Sequence, residues 1–267
     1  MAMRYIKKFI FFSLYLLLTF SAINVKAANN ETFRTIKADL NKDKKAETIR
    51  IKRNSNYNLD GMYNVQITGN GKTVLNQYVD GISLNDIYSS DRYTEVITWL
   101  SGGKLKIYRY NGEKMSLYAT ANFISDTKAM PKLLKKNYCY WDGQTLNIKS
   151  DGKGLIFWES QYDIYSDESY DGKIRVYYRV NQNSIRYATD RYAIETGKNY
   201  CYPGRPWIAY KYPRSDVNQK NFIIRRGERL KILKLKITAQ YIYAQVRRMR
   251  TNETGWVLFS TKAEVWY

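Results

Sequence analysis

The sequence predicts an all-β, antiparallel protein, and three observations predict it. Apolar and polar residues alternate over short runs, as in strands with one buried face. Asn-Gly and Asp-Gly pairs separate those runs and supply the positive φ angles of tight hairpins. Beyond the first 27 residues the one stretch with helical spacing, Met130 to Lys136, is too short to hold a helix alone. Short strands joined by such turns stack as antiparallel sheets.

Individual segments carry the pattern. Thr48-Ile49-Arg50-Ile51-Lys52 places both isoleucines on one face, and Tyr63 to Ile67 repeats the arrangement before Gly69-Asn70-Gly71. Leu105 to Tyr110 runs into Asn111-Gly112, and Leu146 to Ile148 leads toward Asp151-Gly152. Further Asp-Gly pairs begin at Asp60, Asp80, Asp142 and Asp171.

The first residues read as an export leader. Arg4, Lys7 and Lys8 form a positive start, and Phe9 to Ile23 is an apolar run. Val25-Lys26-Ala27 then offers small residues at the positions a signal peptidase reads. The run is about 15 residues, short of the ~20 that span a bilayer, so residues 1–27 are expected to be a cleaved signal peptide rather than an anchor. No later apolar stretch reaches spanning length. The protein is thus expected to be secreted and to work at the cell surface.

Charge bounds its partners. The chain carries 44 Lys or Arg against 24 Asp or Glu, a net +20. Removing the leader's four basic residues leaves about +16. Outside the cell such a surface suits peptidoglycan carboxylates, anionic wall polymers or acidic lipid headgroups; solubility alone is the plainer reading of the same charge. Export argues against nucleic acid as the primary partner. Histidine is absent, which removes most zinc sites and the Ser-His-Asp and Cys-His arrangements. The two cysteines, Cys139 and Cys201, each sit in Asn-Tyr-Cys-Tyr. An oxidising compartment allows them to pair; two separate buried thiols are the alternative.

Two internal repeats are visible. Asp43-Lys-Lys-Ala-Glu47-Thr-Ile-Arg-Ile51 matches Asp91-Arg-Tyr-Thr-Glu95-Val-Ile-Thr-Trp99, an offset of about 48 residues, within the range of propeller blades. Tyr108 to Thr120 similarly matches Tyr178 to Thr189. Upstream of the first copy, Asp39-Leu-Asn41-Lys-Asp43-Lys-Lys-Ala-Glu47 spaces oxygen ligands at positions 1, 3, 5 and 9, a pattern suited to a hard cation. Asx-turns at Asp39, Asn41 and Asp43 would close the same loop without a metal. The segment resembles the calcium loops of FG-GAP/VCBS-type repeats of integrin-like β-propellers, over about residues 35 to 125 and more loosely to about 190. That resemblance implies Ca²⁺ held by Asp39, Asn41, Asp43 and Glu47. It departs at Lys44, where the family has glycine, and in the lysines 42, 44 and 45, which repel a cation.

The composition turns strongly basic near Thr196, which sets the expected domains at 28–195 and 196–267. In the second, Arg226-Gly227-Glu228-Arg229-Leu230-Lys231-Ile232 is a turn and strand, and Tyr241 to Arg247 is another strand. Asn252-Glu-Thr-Gly255-Trp256-Val257 is a turn opening a third, with Trp207 to Pro213 as the first strand. The segment resembles the bacterial SH3-like domain, with Gly227, Val246, Gly255, Trp256 and Val257 on its motif positions and Asn252 in place of a usual glycine. The expected architecture is therefore antiparallel propeller-like repeats followed by a small SH3-like barrel. The resemblance implies tethering to peptidoglycan or another wall ligand, through an aromatic groove for which Tyr210, Tyr241, Tyr243 and Trp256 are candidates. For Trp256 alternation favours the core. Lys231, Lys234, Lys236, Arg247, Arg248 and Arg250 are candidates for binding phosphate or carboxylate, or else form a solvated face.

Three functional readings follow. The leading one is a non-catalytic, envelope-associated binding protein. A second is a carboxylate-based hydrolase of wall glycan using the acidic stretch Glu159, Asp163, Asp167 and Glu168 beside Trp158 and Tyr162. A third is an extracellular protein-interaction module.

Overall fold

The computed structural model describes residues 33–54, 62–100, 102–123, 125–126, 128, 147–165, 169–197, 200–213, 219–238 and 240–261. The leader, Cys139, the Met130–Lys136 stretch, Asp167, Glu168 and the Asp-Gly pairs at 60 and 142 lie outside them.

Among the described residues all regular structure is strand, and every pairing is antiparallel. The first sheet is a meander of β1 (Phe33–Ala38), β2 (Glu47–Arg53), β3 (Tyr63–Gly69) and β4 (Lys72–Val79). A second meander repeats it with β5 (Gly81–Asn85), β6 (Glu95–Leu100), β7 (Lys104–Tyr110) and β8 (Met115–Asn122). A third run of four comprises β9 (Lys149–Ser150), β10 (Leu155–Tyr165), β11 (Ser169–Asn181) and β12 (Ser184–Tyr187), again paired in chain order. The residue repeats map onto this plan. Asp43–Ile51 and Asp91–Trp99 lead into the second strand of their meanders, while Tyr108 and Tyr178 open the last hairpin of theirs.

The second meander is buried on both faces. The cross-strand row Leu84, Val96 and Tyr108 packs with Ile49, Ile67 and Val79 of the first sheet. The row Ile97, Ile107 and Ala119 instead faces the cluster shared with the third sheet. In that cluster Trp158 stacks on Tyr178 at 4.4 Å, and Phe123 meets both rings edge-on. Such ring pairs add roughly 0.5–1.5 kcal/mol each beyond their buried area. A polar seam joins the first two sheets: Gln77 donates to Thr98 Oγ1 at 3.0 Å and accepts from the Tyr108 hydroxyl at 3.0 Å.

Turn chemistry explains most of the connections. Asn70 and Gly71, with φ of 48° and 74°, close the β3–β4 hairpin as the Asn-Gly pair predicts. Two Asp-Gly pairs do otherwise. Gly81 opens β5, where a Cβ would stand 2.1 Å from the Trp99 ring, so this glycine serves close approach rather than a hairpin. Asp171-Gly172 lies inside β11, because the ladder from Leu155↔Arg179 to Tyr165↔Ser169 runs straight through it. Long-range pairing overrides the local turn preference there.

The remaining strands are β13 (Ala193–Glu195), β14 (Tyr200–Cys201), β15 (Trp207–Tyr210), β16 (Lys220–Ile224), β17 (Leu230–Ile237), β18 (Tyr241–Arg248) and β19 (Thr254–Thr261). They pair in the order β16-β15-β19-β18-β17. β13 pairs with β11 on one side and β17 on the other, so the ladder and the core continue across residue 196. No ring of blades and no closed barrel is identified among the described residues.

Candidate functional site

The β1–β2 and β5–β6 loops stand side by side, joined where Thr94 N–H donates to the Leu40 carbonyl. Each is tied by the glutamate that opens the following strand. Glu47 Oε2 accepts from Leu40 N–H at 2.8 Å, and Glu95 Oε2 from Ile87 N–H at 2.9 Å. Burial pushes both carboxyls up, against the pull of those N–H groups.

The two loops then diverge. In the first, Asp39 accepts from the Asp43 and Lys44 N–H groups. Asp43 accepts from Lys45 N–H at 2.8 Å and the Asn41 amide at 3.0 Å, which hold its carboxyl below the usual range. These are the Asx-turns available to the sequence. Lys44 takes φ 71°. The donor chemistry fits a hard cation in one respect: Asn41 Oδ1 is buried with no hydrogen-bond partner. The carboxylates, however, already close the loop. No group of three or more His, Cys, Asp or Glu stands ready for a metal among the described residues.

In the second loop the protein supplies its own cations. Arg109 gives two hydrogen bonds to Glu95 Oε1, at 2.9 and 2.6 Å, and one to Asp91 Oδ2 at 2.6 Å. Its guanidinium lies 3.8 Å from the Tyr118 ring centroid and 4.8 Å from that of Tyr93. Lys42 reaches over from the first loop to Asp86 Oδ2 at 3.0 Å and the Asp91 carbonyl at 2.9 Å. Arg109 was not singled out in the sequence, although the repeat alignment brings Asp91 and Glu95 together without naming their counter-charge.

In the acidic stretch, burial pushes the Glu159 carboxyl up, but Arg175 at 2.7 Å and Lys173 at 3.4 Å outweigh it and hold it below the usual range. A general acid needs the opposite shift. Asp163 lies on β10 opposite Asp171. Glu195 behaves differently: burial pushes it up to about 7, against the Gly197 and Lys173 backbone N–H groups and the Lys231 charge.

The aromatic candidates fall on one outward face of the β15–β19–β18 sheet, but are not equally open. Tyr210 is half-buried, Tyr241 is 37 % exposed, and Tyr243 and Trp256 are buried. Tyr210 and Trp256 are cross-strand partners, and the Tyr241 and Tyr243 rings are 5.8 Å apart. Trp256 is covered by Tyr192, at 5.3 Å between ring centroids, and Lys234 Nζ lies 4.5 and 5.6 Å from the Tyr192 and Trp256 rings. Tyr192 lay outside the aromatic group read from sequence. Asn252 takes φ 60°, and Gly227 takes φ 72°. Cys201 is buried on β14.

Among the described residues no helix is long and apolar enough to cross a membrane. Compared with protein families, with curated proteins and with solved structures, the chain matches none.

Proposed function

We propose that this chain is an exported, non-catalytic binding protein, held to the cell envelope by its basic C-terminal module. The three meanders form a propeller-like platform, and β15–β19 an SH3-like module that contacts peptidoglycan or an anionic wall polymer. One observation carries the reading: five of the module's cations make no ion pair among the described residues. From residue 196 onward there are 15 Lys or Arg against 4 Asp or Glu. Glu228 and Glu253 are both held by Arg248, at 2.5 and 2.7 Å. Lys231, Lys234, Lys236, Arg247 and Arg250 make no ion pair among the described residues and leave a positive field at the surface. Glu159, held low by Arg175 and Lys173, does not suit the general-acid role that the acidic stretch would need from it.

Sedimentation of the leaderless chain with purified cell wall tests the proposal. Binding at low salt that weakens as salt rises is the expected result. A chain that stays in the supernatant at low salt refutes it. The loop Asp39–Glu47 is proposed to take Ca²⁺ through the oxygens of Asp39, Asn41, Asp43 and Glu47, supported by the unpartnered Asn41 Oδ1. Bound Ca²⁺ would add fixed positive charge that holds the loop closed. At a hundredfold excess over its dissociation constant it would add about 2.7 kcal/mol, so an unchanged unfolding midpoint with millimolar Ca²⁺ or chelator refutes that part.

A further inference from the structure

The segment Leu230-Lys-Ile-Leu-Lys-Leu-Lys-Ile237 does not alternate evenly. Strict alternation from Lys231 would turn Leu233 and Leu235 outward with it, and send Lys234 and Lys236 into the core. The structure resolves the conflict with a β-bulge between Ile232 and Lys234. Leu233 is the extra residue. Ile232, Leu235 and Ile237 are all buried, and Lys231, Lys234 and Lys236 share the outward face. Bulges re-aim side chains in this way, and here the result is a row of three lysines along one strand.

The row is held in place. Lys234 Nζ sits against the Tyr192 and Trp256 rings, and Lys236 Nζ donates to the Thr189 carbonyl at 2.8 Å while lying 5.5 Å from the Tyr192 ring. Arg247 extends the charge as the cross-strand partner of Lys231. Lys234 and Lys236 make no ion pair among the described residues, and Tyr192 and Tyr241 on the same side of the sheet are partly exposed, at 38 % and 37 %. Lys234 and Lys236, two residues apart, are spaced by ~7 Å along the strand. Lysine meets a phosphodiester as a point charge, without the two-point geometry by which the arginine fork grips carboxylate or phosphate. Ring faces beside the row suit the C–H surface of a sugar or polyol.

We propose that the outward face of β17, with Tyr192 and Tyr241, binds a linear phosphodiester-linked polyol or sugar polymer, its phosphates following the lysine row. The proposal rests on the envelope reading and names its ligand class and site. Tyr192 precedes residue 196, so the site is assembled from both sides of that boundary.

Titration of the leaderless chain with poly(glycerol phosphate) of defined length tests it, with polyglutamate as a carboxylate polyanion. K234Q/K236Q should weaken binding at least tenfold and flatten the salt dependence, K234R/K236R should stay within threefold of the parent, and K211Q/K220Q, equal in charge loss, should also stay within threefold. Near-ultraviolet circular dichroism of each variant checks the fold, and the arginine pair keeps the question answerable if the glutamine pair is unstable. An equal loss in K211Q/K220Q, or equal affinity for polyglutamate, overturns the proposal. Wall stripped of phosphodiesters by hydrofluoric acid separates the two readings. If stripped wall still sediments the chain and poly(glycerol phosphate) does not bind, the site assignment falls and the envelope reading stands; if neither wall form binds, both fall.

Discussion

Replacing Arg109 by methionine tests how the second meander tolerates its buried charge. Glu95 is fully buried, and Arg109 supplies two of its hydrogen bonds at 2.9 and 2.6 Å, Ile87 N–H the other at 2.9 Å. Removing one member of a buried pair costs about 3–5 kcal/mol, because the remaining charge has neither water nor partner. Against a total of roughly 5–15 kcal/mol, that is a large share of the stability. It corresponds to a fall in Tm of roughly 6–20 °C for a chain of this size. Calorimetry and urea unfolding of R109M, E95Q and the double variant give the cycle. The double variant should regain much of the loss, with a coupling above about 1.5 kcal/mol. The sign with pH is fixed as well. Without the guanidinium the Glu95 carboxyl is pushed further up, so the folded state binds a proton that the unfolded state releases. The variant's penalty is then smaller at pH 4.5 than at pH 8. A loss below about 1 kcal/mol, or one independent of pH, would refute the reasoning.

Other outcomes follow from single residues. Glu195, pushed up to about 7 from 4.5, is protonated in the fold at a pH where the unfolded chain is ionised, so stability falls as pH rises from 4.5 to 7. E195Q should flatten that slope and gain roughly 1–3 kcal/mol at pH 8, read by urea unfolding at both ends of the window. G81A places a methyl 2.1 Å from the Trp99 ring and should cost about 1–3 kcal/mol, with a perturbed tryptophan emission. K44G relieves a left-handed residue at φ 71° and should leave stability unchanged or raise it by up to about 1 kcal/mol; a fall of that size would show that the Lys44 side chain holds the loop.

Much of this was legible because strands and turns are written locally. Ile49 and Ile51 alternate as they pack, and Asn70-Gly71 makes the hairpin it encodes. The pattern failed where pairing partners decide. Asp171-Gly172 reads as a turn, yet β10 holds it in a ladder. Lys44 and Asn252 both adopt positive φ without being glycine, which local pattern alone does not indicate. The lysine row was visible as charge, but its common face depends on one bulged residue, and the coverage of Trp256 by Tyr192 joins strands far apart in sequence. Arg109 was missed because its two carboxylates sit 14 and 18 residues away.

The three residues of β13 have a consequence for anyone who cuts the chain into pieces. Severed at 196, the C-terminal fragment would present the Lys234–Leu235 stretch of β17 as an open edge, its carbonyl and amide groups free to meet whatever strand arrives first, and Leu235 would lose the neighbour that covers it. The complementary fragment would carry the matching wound along β13, which stays paired with β11. Expressed apart, the halves are more prone to pair with copies of themselves than to behave as separate bodies; mixed, they have a ready-made route back to one another.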